Sequence, residues 1–191
     1  KVAENKRLII PMMDGVDTIA KNAFKNSRTN KFDLEYSEIP GNIKTIEMAA
    51  FGANPSKEIK FNEGLESIGN AAFMAHQVES LVLPNSLKEI GDMAFMADRK
   101  NPSLTNLELG ENLDRIGRNA FANGKLKTLT LNDNLKTIEV NAFTKNEIES
   151  IKFNKGLEVI ECNAFANNKL AKVNLPTSLV KICESAFSGN D

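Results

Sequence analysis

The stretch Val78-Glu79-Ser80-Leu81-Val82-Leu83-Pro84-Asn85-Ser86-Leu87-Lys88-Glu89-Ile90-Gly91-Asp92-Met93-Ala94-Phe95 decides how this chain is read. Its aliphatic residues fall at Val78, Leu81, Leu83, Leu87 and Ile90, and it closes on Ala94-Phe95. Outward in both directions the Ala-Phe pair recurs, eight times in all, ending at Phe24, Phe51, Phe73, Phe95, Phe121, Phe143, Phe165 and Phe187, with spacings of 27, 22, 22, 26, 22, 22 and 22 residues. Ile stands five residues before every Phe, at Ile19, Ile46, Ile68, Ile90, Ile116, Ile138, Ile160 and Ile182. Eight residues before each Phe the position is aliphatic again: Val16, Ile43, Leu65, Leu87, Leu113, Leu135, Leu157 and Leu179. A fixed long period marks a solenoid, whose single coil buries its apolar face only against its neighbours.

Coils three to eight also carry an apolar, free, apolar trio: Ile59-Lys60-Phe61, Leu81-Val82-Leu83, Leu107-Glu108-Leu109, Leu129-Thr130-Leu131, Ile151-Lys152-Phe153 and Val173-Asn174-Leu175. Such alternation predicts a short, half-buried strand. An aliphatic three residues upstream, at Val78, Leu104, Leu126, Ile148 or Leu170, completes L-x-x-L-x-L. Pro11, Pro40, Pro84 and Pro176 stand at or just past the strand end, where a missing N–H stops the ladder. The Ile-x-x-x-Ala-Phe segment predicts one or two helical turns on the far side of each coil. Asn54, Asn146, Asn168 and Asn190, with Gly124 at the same place, are expected to end those turns in the left-handed conformation. One domain over 1–191 is expected, with coils at 1–26, 27–54, 55–76, 77–98, 99–124, 125–146, 147–168 and 169–191. The two longer spacings place insertions at Lys25 to Asp33 and Met96 to Ser103, expected to be spare loop length without a role, with loops that collect partner contacts as the alternative.

The pattern L-x-x-L-x-L-P-x-x-L-x-x-I-G-x-x-A-F-x-x-N resembles the BspA-like, or Treponema-type, leucine-rich repeat family over essentially the whole chain. The resemblance implies an α/β repeat solenoid, a right-handed superhelix of about eight coils with a concave parallel β-sheet and short helical turns on the convex side. It also implies a bacterial cell-surface or secreted protein that adheres to host proteins, other microbes or matrix. Ser37 and Ser56 depart from the pattern at positions where an aliphatic is expected, and extra residues separate Pro11 from Val16. The chain starts at Lys1 without an initiator Met or signal pattern and stops at Asp191 without a polar cap, as expected of a piece of a longer protein. Uncapped coils are expected to favour end-to-end self-association.

Lys and Arg number 24 against 25 Asp and Glu, so no field of one sign draws nucleic acid or an anionic membrane from a distance. Apolar stretches such as Leu8 to Met13 and Ala71 to Ala75 fall far short of the roughly 20 residues a membrane helix needs. Neither a nucleic-acid partner nor membrane insertion is expected.

Candidates for chemistry are few. His76, the sole His, holds the turn position of Asn54 and Asn146 and is expected to face solvent. Cys162 lies four coils away, roughly 19 Å at the strand spacing, whereas proton transfer needs about 3 Å. Cys162 and Cys183 stand three and four residues before their Phe, one helical step of about 100° apart. That offset favours two free, partly buried thiols, with a disulfide as the alternative. No P-loop, dinucleotide fingerprint, paired-His zinc motif or calcium loop occurs, and Asp14-Gly15 and Asn132-Asp133-Asn134 read as turns. The expectation is therefore no catalytic, cofactor or metal site.

What remains is surface. The middle residues of the trios should form a ladder on the concave face: Glu38, Lys60, Val82, Glu108, Thr130, Lys152 and Asn174, flanked by Glu58, Ser80, Asn106, Thr128, Ser150 and Lys172. It is small, polar and of mixed sign, without the Tyr, Trp or Arg anchors of protein hot spots, so an ordinary solvated sheet face is the competing reading. The expected function is a protein-binding or adhesion module for an unidentified host or microbial protein. The alternative is a structural spacer or self-associating repeat that displays another domain.

Overall fold

A computed structural model describes residues 6–29 and 31–191. The first five residues of the expected first coil, and Asn30 within the first insertion, lie outside the described residues. The chain winds as a solenoid in which all strand pairing joins one coil to the next, in parallel. Each isoleucine sits in a two-residue strand, from Thr18–Ile19 to Lys181–Ile182, and these form one eight-stranded sheet whose spatial order is the chain order. That sheet counts eight coils. The trio strands run from Arg7–Ile9 to Ser150–Lys152 in hydrogen-bonded groups of three, two and two. Val173-Asn174-Leu175 forms no strand, contrary to the sequence reading.

Between the two strands each coil makes a turn closed by a bond such as Ile43 N–H to Pro40 C=O at 3.2 Å or Leu87 N–H to Pro84 C=O at 3.1 Å. Proline suits the first corner because it has no N–H to leave unpaired.

The expected helical turns are absent: none of the described residues is helical. The residue two before every Phe is left-handed instead, at Asn22, Ala49, Ala71, Met93, Asn119, Asn141, Asn163 and Ser185, with φ of 53–61°. A left-handed residue stops any helical run after one turn, at a cost of about 1 kcal/mol for a side chain other than glycine. The N–H groups so released bond to the next coil, as in Phe51 N–H to Ala72 C=O and Phe165 N–H to Ala186 C=O, both 2.8 Å. Backbone bonding thus runs between coils on this side too, instead of within them.

The core is a set of columns. All eight Phe rings stack with centroids 4.9–5.6 Å apart, and the six from Phe51 to Phe165 are fully buried. Ile46 to Ile160 and Leu65 to Leu157 form parallel columns beside them. Ser37 occupies the trio column, in register between Leu8 and Ile59, fully buried and with no partner for its hydroxyl.

Outside the isoleucine sheet a charge ladder alternates in sign from coil to coil: Asp17, Lys44, Glu66, Lys88, Asp114, Lys136 and Glu158. Lys88 meets Glu66 at 2.7 Å and Lys136 meets Glu158 at 3.3 Å. Each exposed pair is worth only about 0–1 kcal/mol, but a coil stacked one place out of order would face its own sign.

Candidate functional site

The trio strands do place the expected ladder on one face. Glu38 is in register with Lys60, Val82 with Glu108, and Thr130 with Lys152. Lys60, Val82, Glu108, Thr130 and Lys152 are exposed, as are the flanking Glu58, Ser80, Asn106, Thr128 and Ser150. Asn174 and Lys172 are also exposed but lie outside any strand.

The ladder has two chemically different parts. At its start the Arg7 guanidinium lies 3.8 Å over the Tyr36 ring, an arrangement that favours the cation electrostatically. Glu38 accepts bonds from Lys60 Nζ at 2.8 Å and Tyr36 Oη at 3.1 Å, and these two donors hold its carboxyl below the usual carboxylate range. These groups are engaged with one another. Further along, Glu108, Thr130 and Lys152 make no hydrogen bond or ion pair with another described side chain.

Two grooves run between this face and the turns that follow the strands. One, about 600 Å³, spans coils three to five past Lys60, Glu63, Val82 and Asn85; the other, about 880 Å³, spans coils five to seven past Asn112, Thr130, Asn132, Asn134 and Lys152. Glu108 and Leu109 line both, so the two grooves adjoin at Glu108 and together make up the channel along this face. Sequence reasoning found the strand wall and missed the Asn-rich wall, of which it read Asn132 and Asn134 as turn residues alone. Some of these amides also tie coils together: Asn132 Nδ2 donates to Leu113 C=O at 2.7 Å and Asn154 Nδ2 to Leu135 C=O at 2.8 Å.

The asparagines three residues after Phe are not left-handed; the left-handed residue precedes them, as at Ala53, Lys145 and Asn167. Their side chains point inward and bridge coils. Asn168 Nδ2 donates to the carbonyls of Phe143 and Phe165, both at 3.0 Å, while its Oδ1 accepts Ile148 N–H at 3.0 Å. Asn146 and Asn54 repeat the arrangement, as does Asn190. These orphan carbonyls would otherwise be buried without a donor. Gly124 leaves room for Asn146 Oδ1, which a Cβ there would strike.

His76 belongs to this inner ladder and is buried, not solvent-facing. Its Nδ1 accepts Val78 N–H at 3.0 Å, which assigns the proton to Nε2, 3.2 Å from Phe95 C=O. Burial lowers its pKa from 6.5 to about 4, because the charged form has no water around it. The sulfurs of Cys162 and Cys183 are joined as a disulfide between coils seven and eight, with Cα atoms 4.7 Å apart. The expectation of free thiols assumed a helical step; Cys162 lies instead in a turn and Cys183 directly after its strand, and pairing of Ile160 with Ile182 brings the two cysteines together. Glu161 with these cysteines is the single group of potential metal ligands among the described residues, and the disulfide occupies both sulfurs.

A family model described as a BspA type leucine rich repeat region matches residues 5–101 and 99–191 in six copies. No curated protein matches the chain. Among solved structures, a leucine-rich repeat protein from Bacteroides ovatus is similar at 22% identity and TM-score 0.69, over 95% of this chain and 54% of that one. The leucine-rich repeat protein of T. pallidum is similar at 21% identity and TM-score 0.67, over 84% of this chain and 73% of that one. A leucine rich cell surface protein from Faecalibacterium prausnitzii is similar at 20% identity and TM-score 0.59, over 98% of this chain and 46% of that one. This chain therefore spans about half the length of two of these relatives. At these identities the likeness is one of fold.

Proposed function

This chain belongs to the BspA-type leucine-rich repeat family, and from that premise we propose that it is a protein-binding, adhesive module of a bacterial cell-surface or secreted protein. The observation that carries the reading is the channel along the trio-strand face. Its strand wall presents Glu108, Thr130 and Lys152, without side-chain partners among the described residues, on the successive strands Asn106–Glu108, Thr128–Thr130 and Ser150–Lys152, where a ligand can replace water. Extracellular location is supported by the Cys162–Cys183 bond, since disulfides persist in oxidising compartments, and by a fold neighbour described as a cell surface protein.

The test is surface plasmon resonance of the chain over a panel of purified extracellular-matrix glycoproteins. Binding by the wild type that falls at least tenfold in the Lys60→Glu, Glu108→Lys, Lys152→Glu triple variant supports the reading. Undiminished binding by that variant moves the contact elsewhere.

A further inference from the structure

The two stretches that break the period share a chemistry. Lys25 to Asp33 holds Lys25, Arg28 and Lys31 against Asp33, and Met96 to Ser103 holds Arg99 and Lys100 against Asp98, net +2 and +1 in a chain of net charge −1. Both enter after the Phe turn and before the trio strand, so both leave the solenoid on one edge, three coils or about 14 Å apart at the parallel-strand spacing. The balanced total charge conceals this local excess.

Beneath the second insertion lies a hollow of about 650 Å³. Lys57, Lys100 and Lys125 converge on it with Gln77, Asn101 and Ser103, against the single carboxylate of Glu79. Among the described residues Lys100 and Lys125 enter no ion pair, and Lys57 enters one, with Glu35 at 3.0 Å. The Ser103 hydroxyl in the same wall is buried without a hydrogen-bond partner. Four coils, the third to the sixth, are bridged by this cluster, whose Lys57 side chain is more than half exposed.

The chemistry of the wall selects its occupant. Separate ammonium groups act as hydrated point charges and suit a series of anions better than one bidentate carboxylate. Amide and hydroxyl groups between them suit sugar hydroxyls. No aromatic or large aliphatic residue lines the hollow, so a protein partner would find no apolar anchor there. We propose that this edge binds a linear sulfated polysaccharide, its sulfates meeting Lys57, Lys100 and Lys125, at a site separate from the trio-strand channel.

Heparin is the probe, titrated calorimetrically into the whole chain at low and moderate salt. The wild type is expected to bind, with log affinity falling linearly with log salt as counterions are released. The Lys57→Gln, Lys100→Gln, Lys125→Gln variant is expected to lose at least tenfold, and Lys100→Gln alone, on its exposed loop, about threefold of that loss. A charge-matched control, Lys44→Gln, Lys88→Gln, Lys136→Gln on the other sheet, is expected to bind within about twofold of the wild type. Absence of heparin binding by the wild type, equal losses in the variant and the control, or equally tight binding of polyglutamate would each overturn the proposal.

Discussion

His76 Nε2 lies 3.2 Å from the carbonyl oxygen of Phe95 in the next coil, whereas an asparagine at the same repeat position, such as Asn146, donates to the Phe carbonyl of the preceding coil. Neutral imidazole serves that role and imidazolium does not, because protonating Nδ1 would remove the acceptor for Val78 N–H. The unfolded chain takes up the proton at the ordinary pKa of 6.5 and the folded one only at about 4. The stabilisation is therefore complete above pH 6.5, is lost as pH falls from 6.5 to about 4, and falls no further below that. The total is about 3 kcal/mol. Urea titrations at pH 7 and pH 4.5 are expected to show this loss in the wild type and to show it much reduced in His76→Asn.

Phe121 sits between Phe95 and Phe143, each 5.5 Å away ring to ring, and is 1% exposed. Phe121→Ala is expected to cost about 3–5 kcal/mol in denaturant titration. A smaller loss would mean that the ring stack does not carry the core.

Asn168 satisfies two carbonyls and one N–H with a single amide. Phe143 C=O keeps Asn146 Nδ2 at 3.1 Å and Phe165 C=O keeps Asn190 Nδ2 at 3.0 Å, so Asn168→Ala leaves one buried group, the Ile148 N–H, unpaired, and a loss of about 1–3 kcal/mol is expected. Asn168→Asp should be no better, since its buried carboxylate would face both carbonyl oxygens without a donor.

Ser37 makes the opposite case. Its buried hydroxyl has no partner between Leu8 and Ile59, so Ser37→Val is expected to raise stability by about 1 kcal/mol. A fall in the midpoint would show that the hydroxyl is satisfied in solution.

The Cys162–Cys183 bond closes a 21-residue separation and ties down a coil that lacks its trio strand. Cys183→Ser is expected to cost about 3 kcal/mol, concentrated in coil eight. Hydrogen exchange should quicken across 169–191 and stay unchanged in coils two to six.

Position in the repeat was legible in the sequence; conformation within it was legible only in part. Leu, Ile and Phe recur because each fills a column, and a column needs the same residue type in every coil, so spacing alone located the core. The Ile-x-x-x-Ala-Phe segment misled because its apolar spacing fits a helical turn, while the left-handed residue before Ala-Phe is Asn in only four coils and Ala, Met or Ser in the other four. Asn and His76 were placed correctly and oriented wrongly. The usable signal was that a residue held at a fixed distance from a core Phe shares the core's constraint, which a solvent-facing turn does not. The trio ladder was read from alternation, but its Asn-rich opposite wall comes from turns of separate coils that only stacking brings together.

Adhesion of beads coated with this chain to an epithelial monolayer tests the proposed function most directly. The account expects wild-type beads to adhere above uncoated ones, and beads carrying the Lys60→Glu, Glu108→Lys, Lys152→Glu variant to fall to the uncoated level with an unchanged unfolding midpoint. Equal adhesion by the two proteins would contradict it.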